Sequence, residues 1–144
     1  MALNYEFECQ DRSRKRSHFK TNMDAEELLK RYAAGERNFT GADLSRARLI
    51  GADLVGINLW GANLSDANLA RAKLWGANLT GANLVKANLT RANLCGAKLN
   101  EANLRQARLN NTKLYGANLS GACYDASTRF SRGFDPAAKS MRKV

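Results

Sequence analysis

Leucine recurs at every fifth position through the middle of the chain, from Leu44 to Leu119, with Phe39 one step before and Tyr124 one step after. Alanine stands two positions before the central residue in fifteen of these eighteen units, and the exceptions are Arg37, Ile57 and Thr112. In an α-helix a five-residue step rotates each leucine by about 140° and scatters the set around the cylinder. In a flat strand an odd step sends successive leucines to opposite faces. Only a chain that turns a corner in every unit keeps all of these leucines inside.

The repeated unit, Ala-Asn/Asp-Leu-x-x, resembles the pentapeptide-repeat family, for example at residues 62–66 (Ala-Asn-Leu-Ser-Asp) and 77–81 (Ala-Asn-Leu-Thr-Gly). The resemblance implies an all-β solenoid, a right-handed quadrilateral β-helix with four repeats per coil. In that fold the central Leu and the preceding Ala lie inside and the other three positions lie outside. Residues 37–126 would then form about four and a half coils.

A twenty-residue period is also visible in the chain itself. Val55, Trp75, Cys95 and Tyr115 stand twenty residues apart, and each is followed by glycine. This spacing indicates that one face of the solenoid differs from the other three.

The flanks suggest covers for the two ends of the solenoid. An N-cap at Asp24, acids at Glu26 and Glu27, and a glycine stop at Gly35 predict a short capping helix within residues 24–36. Residues 1–23 are an extension that contains either an edge strand or a loose segment at residues 2–10 and then a basic run. Residues 127–144 form a basic C-terminal tail. The two flanks also resemble those of cyanobacterial members of the family.

The residues that usually carry catalysis or bind metals are scarce. His18 is the one histidine, and the three cysteines, Cys9, Cys95 and Cys123, have no CxxC or CxxH spacing. We therefore expect no catalytic residue, no metal and no cofactor, and we predict that the protein is not an enzyme. Reduced thiols and the lack of a signal-peptide-like or membrane-spanning apolar run favour a cytoplasmic location.

The formal charge of +10 is distributed unevenly. When the repeats are sorted by fours, the third face carries four arginines and no acid, whereas the fourth face carries the period-twenty column. These two faces, with Trp60 across a corner, supply the candidate partner-binding residues: Arg48, Arg71, Arg91, Arg108, Val55, Trp60, Trp75 and Tyr115.

Three interpretations of this surface remain open. The first is a protein-interaction scaffold whose aromatic and arginine faces bind an acidic protein. The second is a protein that binds nucleic acid or another polyanion through the basic face and flanks, and the third is a solvated surface with no partner. Some relatives of this family inhibit or protect DNA gyrase through an acidic, DNA-like solenoid, and the basic repeats here disfavour that activity. The chain could be a monomer or an end-to-end dimer.

Overall fold

The coordinates are a computed structural model that describes residues 23–144. The suggested edge strand at residues 2–10, the basic run at residues 12–16, and His18 lie outside the described residues.

A ladder of parallel bridges runs along the repeats and joins residues that are twenty positions apart, such as Asn63 with Asn83 and Asn83 with Asn103. Backbone hydrogen bonds join each rung to the next. For example, the N–H of Leu64 donates to the carbonyl of Asn83 at 2.7 Å, and the N–H of Asn83 donates to the carbonyl of Ala62 at 2.9 Å. Four repeats therefore make one turn, as the sequence period predicts. We number the faces one to four by the repeats that begin at residues 37, 42, 47 and 52.

Each corner between faces is a β-turn closed by a backbone hydrogen bond, as from the N–H of Ala47 to the carbonyl of Leu44 at 3.0 Å. The third turn residue has a positive φ and the second does not, which is the pattern of a type II turn. Glycine fills many of these positions, but eight hold other residues, namely Arg46, Asp66, Arg71, Lys86, Arg91, Glu101, Gln106 and Asn111. Such residues are strained in this conformation, so their presence calls for a local or functional reason.

The core is the predicted column of leucines with the smaller alanines between them, and nearly all of these side chains are buried. The three units that lack alanine each have a local explanation. Ile57 is fully buried in the column, and the hydroxyl of Thr112 donates to the carbonyl of Leu89 at 2.8 Å. Arg37 stays exposed, and its guanidinium lies 3.8 Å from the centre of the Tyr32 ring.

The asparagines that precede the leucines serve the backbone of the turns. The side-chain oxygen of Asn78 accepts a hydrogen bond from the backbone N–H of Thr80 at 3.1 Å, and Asn88 accepts one from Thr90 at 3.0 Å. This arrangement recurs along the repeats, so these side chains have a structural role in the turns.

Among the residues that the structure describes, one α-helix, α1 (Ala25–Ala33), precedes the first coil. The carboxylate of Asp24 accepts from the backbone N–H of Glu27 at 2.8 Å and caps the helix N-terminus. Leu28 is fully buried in the same core cluster as the leucine column. The Tyr32 hydroxyl donates to the carbonyl of Val55 at 2.8 Å, which fixes the helix to the fourth face.

The residues after 126 continue the ladder. Four short strands pair in parallel, β1 (Arg108–Leu109) with β3 (Arg129–Phe130) and β2 (Cys123–Tyr124) with β4 (Arg142–Lys143), and a 3-10 helix (Ala137–Lys139) lies between β3 and β4. The rings of Tyr124 and Phe130 meet edge to face at 5.5 Å, and Phe130 stacks on Phe134 at 4.7 Å. This aromatic cluster packs against the end of the leucine column.

Candidate partner-binding surface

The third face presents one arginine on each of five successive rungs. Arg48, Arg71, Arg91 and Arg108 were predicted from the repeat register, and the pairing of Arg129 with Arg108 adds a fifth. All five side chains are exposed. We call these five residues the arginine ladder. Arg129 escaped the sequence analysis because it lies twenty-one positions after Arg108, one residue out of the regular period.

The arginine ladder is not neutralised within its own face. The third-face repeats contain no acidic residue, and the acids of the adjoining faces are Asp43, Asp66 and Asp125 on the second face and Asp53 on the fourth. Within residues 23–144, no ion pair to these five guanidinium groups is found, whereas Arg31 and Glu36 do form one. Neighbouring rungs are separated by the usual strand spacing of about 4.8 Å. The ladder is therefore a line of uncompensated positive charge.

The predicted column of the fourth face is assembled as the period suggested. The N–H of Gly76 donates to the carbonyl of Cys95 at 3.0 Å, and the N–H of Gly96 donates to Tyr115 at 2.9 Å, which places successive members on adjacent rungs. Trp75 and Tyr115 are strongly exposed, at 59% and 90%. We call these two residues the aromatic pair.

Two of the predicted aromatic-face residues are less accessible. Val55 is half-buried, and its carbonyl accepts the Tyr32 hydroxyl of α1. Trp60 is half-buried on the first face and has an interaction partner. Neither residue is therefore as exposed as Trp75 and Tyr115.

Ile50 is an exposed residue that the sequence analysis missed. It is 57% exposed and lies at the corner of the third face, on the same rung as Arg48. It occupies the same repeat position as Trp75 and Tyr115, immediately after the central leucine. That shared position could have identified it, because large side chains there point away from the core.

The described residues offer little for metal binding, since residues 23–144 contain no cluster of three or more His, Cys, Asp or Glu side chains.

Cys95 is a free thiol, whereas Cys123 is disulfide-bonded, so the expectation of reduced thiols is wrong for Cys123. Among residues 23–144, no helix has the length and apolar character needed to cross a bilayer.

The family model for Pentapeptide repeats matches the chain in eight copies, over residues 38–61, 62–100 and 87–123. These matches span more than half of the chain. It belongs to the pentapeptide repeat family. The fold of this family is a right-handed quadrilateral β-helix, and its members are in general interaction or structural proteins and not enzymes.

Among solved structures, this pentapeptide repeat protein is similar to Rfr23 from the cyanobacterium Cyanothece 51142, with 44% identity and a TM-score of 0.64 over 65% of this chain. The match spans 63% of the Rfr23 chain, less than two thirds of its length. A pentapeptide repeat protein from Nostoc Pcc 7120 matches with 34% identity and a TM-score of 0.48, over 87% of this chain and 99% of that one.

A third similar structure is a pentapeptide repeat protein of the Arabidopsis thaliana thylakoid lumen, at 36% identity and a TM-score of 0.43, over 62% of this chain and 55% of that one. No curated protein matches the chain.

Proposed function

We propose that this pentapeptide repeat protein is a non-enzymatic scaffold that binds an acidic protein through the arginine ladder and the aromatic pair. One observation carries the proposal. Five exposed arginines occupy successive rungs of one face, without an acid on that face, and strongly exposed Trp75 and Tyr115 lie on the adjoining face.

The charge arrangement is unfavourable for the isolated protein. Like charges on adjacent rungs repel each other, and Arg71 and Arg91 also sit in the left-handed conformation, where glycine is better accommodated. An acidic partner would remove the repulsion between the guanidinium groups. The ladder is thus better explained by a bound anion than by the stability of the solenoid.

The aromatic pair adds the kind of side chain that concentrates binding energy. Trp, Tyr and Arg are the residues most enriched at the energetic centres of protein interfaces. Trp75 and Tyr115 are much more exposed than the half-buried Val55 and Trp60. We therefore restrict the proposed contact region to the aromatic pair, the arginine ladder and Ile50.

We also propose that α1 caps the open edge of the first coil. The uncapped edge of a solenoid presents unpaired backbone groups that invite end-to-end growth. The backbone N–H of Met23 donates to the carbonyl of Asp43 at 3.0 Å, and Leu28 fills the end of the core. Loss of this cap, for example through Leu28→Asp, is expected to cause self-association measurable by light scattering.

The scaffold proposal is tested by capture from the native lysate, using the tagged chain with and without nuclease treatment. We compare the unchanged protein with Arg71→Gln/Arg91→Gln, with Trp75→Ala/Tyr115→Ala and with the control Lys86→Gln. Lys86 occupies the same turn position on the second face with φ 61°, and Gln106 shows that Gln is accommodated there with φ 60°.

A discrete acidic protein that survives nuclease treatment, and is lost only with the ladder and aromatic variants, supports the scaffold. Recovery of nucleic-acid-associated proteins that nuclease abolishes would instead support polyanion binding. Associations that are unchanged in all variants would contradict both.

A further inference from the structure

We infer that the arginine ladder is fitted to an acidic α-helix that lies along the solenoid axis, with one carboxylate per helical turn facing the arginines. This inference rests on the proposed scaffold function and specifies the shape of the partner. It follows from the spacing of the ladder, its width and the small side chains between its two edges.

The rise of the ladder is close to the pitch of an α-helix. Five rungs about 4.8 Å apart span roughly 19 Å, whereas four helical turns of 5.4 Å span about 22 Å. When the two are centred on each other, the mismatch is only about 1 to 1.5 Å at either end. Long arginine side chains absorb such a difference easily.

An extended peptide fits less well. Side chains on one face of a strand recur about every 6.7 Å, so five of them span roughly 27 Å. Centred on the ladder, the outermost groups would miss their arginines by about 4 Å. The spacing therefore favours a helical partner over an extended one.

Duplex DNA is also a poor match to arginines that are stacked on successive rungs along the solenoid axis. Each strand winds through a full turn in about 34 Å, so over the roughly 19 Å of the ladder it rotates through more than half a turn. A single strand of the duplex could contact only part of the five-rung line. The two edges of the arginine ladder run along the solenoid axis and suit a rod that lies between them.

The width of the ladder matches a helix as well. Arg48, Arg108 and Arg129 stand just before the central residue of their units, whereas Arg71 and Arg91 stand two positions after it. The two edges are three residues apart, at most about 10 Å, close to the 10–12 Å diameter of a helix. Arginines would therefore flank the helix on both sides.

The surface between the two edges of the arginine ladder, here called the floor, allows a helix to approach closely. On the first three rungs the residues after the central leucines are Ile50, Ala70 and Thr90, two of which are small and partly buried. Ile50 supplies an exposed apolar contact at one end of the floor. We expect an apolar residue of the helix to lie at this end.

Within residues 23–144, the helix α1 of a second copy does not supply such a stripe of acids. α1 carries Glu26 and Glu27 in its first turn but Lys30 and Arg31 in its last, so its acids do not continue along a stripe. The proposed occupant is a segment of another protein, at least about 15 residues long, with five acids spaced three or four residues apart over four helical turns.

The test uses labelled synthetic peptides of about 18 residues and fluorescence anisotropy at low and physiological salt. One peptide has five Glu in a single stripe, a second has the same composition with Glu dispersed around the helix, and a third carries two central Pro that prevent helix formation. A single-stranded and a duplex oligonucleotide of similar length complete the set.

We expect the striped helix to bind about tenfold more tightly than either the dispersed or the Pro peptide. Arg71→Gln/Arg91→Gln should weaken binding of the striped helix roughly fourfold to twentyfold, because exposed charge pairs each contribute modestly. The matched control Lys86→Gln should change it by less than about twofold.

Equal affinity for the three peptides, or no binding, would overturn the helical inference. Tighter ladder-dependent binding of either oligonucleotide would overturn it in favour of a nucleic-acid partner. If the peptides are not distinguished but capture of an acidic protein still requires Arg71 and Arg91, the scaffold function stands and only the helical partner fails. If capture fails as well, both proposals fail.

Discussion

Arg71 and Arg91 occupy the same turn position on adjacent rungs, and both have φ of 60°. The backbone N–H of Arg71 donates to the carbonyl of Thr90, the residue just before Arg91, at 2.9 Å. Two like charges are thus held about one strand spacing apart on backbones that disfavour side chains. We therefore expect the arginine ladder to lower the free energy of unfolding of the protein while it provides a binding surface.

We expect Arg71→Gly to raise the free energy of unfolding by about 0.5–1 kcal/mol, since glycine adopts positive φ freely and the repulsion from Arg91 disappears. The same variant should bind an acidic partner more weakly. Urea denaturation gives the first quantity, and anisotropy with an acidic probe gives the second.

Arg48→Gly is the matched control, because Arg48 belongs to the same ladder but is not among the residues with positive φ. There, glycine removes a charge without relieving strain and adds entropy to the unfolded chain, so stability should fall. If both variants shifted stability in the same direction, backbone strain at Arg71 would not be the cause.

The leucine column should tolerate little change. Leu79 is fully buried with neighbours on both adjacent rungs, so Leu79→Ala should cost about 3 kcal/mol through lost burial and the remaining cavity. Leu29→Ala, on the partly exposed side of α1, should cost less than about 1 kcal/mol. Chemical denaturation monitored by circular dichroism distinguishes them, and similar losses would contradict the assigned core.

The aromatic cluster at the C-terminal end should be structural, unlike the aromatic pair. Phe130 contacts both Tyr124 and Phe134, so Phe130→Ala should lower the free energy of unfolding by about 2 kcal/mol. Tyr115→Ala should change stability by less than about 0.5 kcal/mol, because the side chain is almost fully exposed. Thermal unfolding of the two variants measures this contrast, and a large loss for Tyr115→Ala would show that another segment covers it.

The attachment of α1 should depend on acid pH. The Arg31 side chain donates to Glu36, with its Nε 2.6 Å from the carboxylate Oε2, and this hydrogen bond holds the pKa of Glu36 below its ordinary value. A lowered carboxyl pKa stabilises the fold at pH above the ordinary value of 4.5. That contribution is lost as the pH falls through the lowered pKa.

Glu36→Gln should therefore be less stable than the unchanged protein at neutral pH, and the difference should close below pH 4.5. Urea midpoints measured across this range give the comparison. A difference at Glu36 that stayed constant down to acid pH would contradict the role of the ion pair.

The sequence supported the candidate surface only where the five-residue register holds. The repeat register contains four of the ladder arginines, Arg48, Arg71, Arg91 and Arg108, and the column from Val55 to Tyr115. The face on which each of these residues lies could therefore be predicted by counting residues. Arg129 is one residue out of phase, and its position on the ladder depends on the pairing of β3 with β1.

Accessibility required the packed structure. Val55, Trp60, Trp75 and Tyr115 all follow a central leucine, yet only Trp75 and Tyr115 are strongly exposed. Burial depends on which other segments reach each position, as α1 reaches Val55 through Tyr32. Local repeat chemistry contains no information on such contacts.

The five-residue period alone requires a chain that turns a corner in every unit, and the resemblance to the pentapeptide-repeat family implied the buried Leu and Ala positions and the coil of four repeats. A strict five-residue period has one way to bury every leucine, since helices and flat strands both scatter them. Two features depend on the tertiary structure. They are the continuation of the parallel backbone pairing after residue 126 and the exposure of each surface residue. Those features arise from contacts between distant, non-repeating segments, whose geometry is set by packing and not by the period.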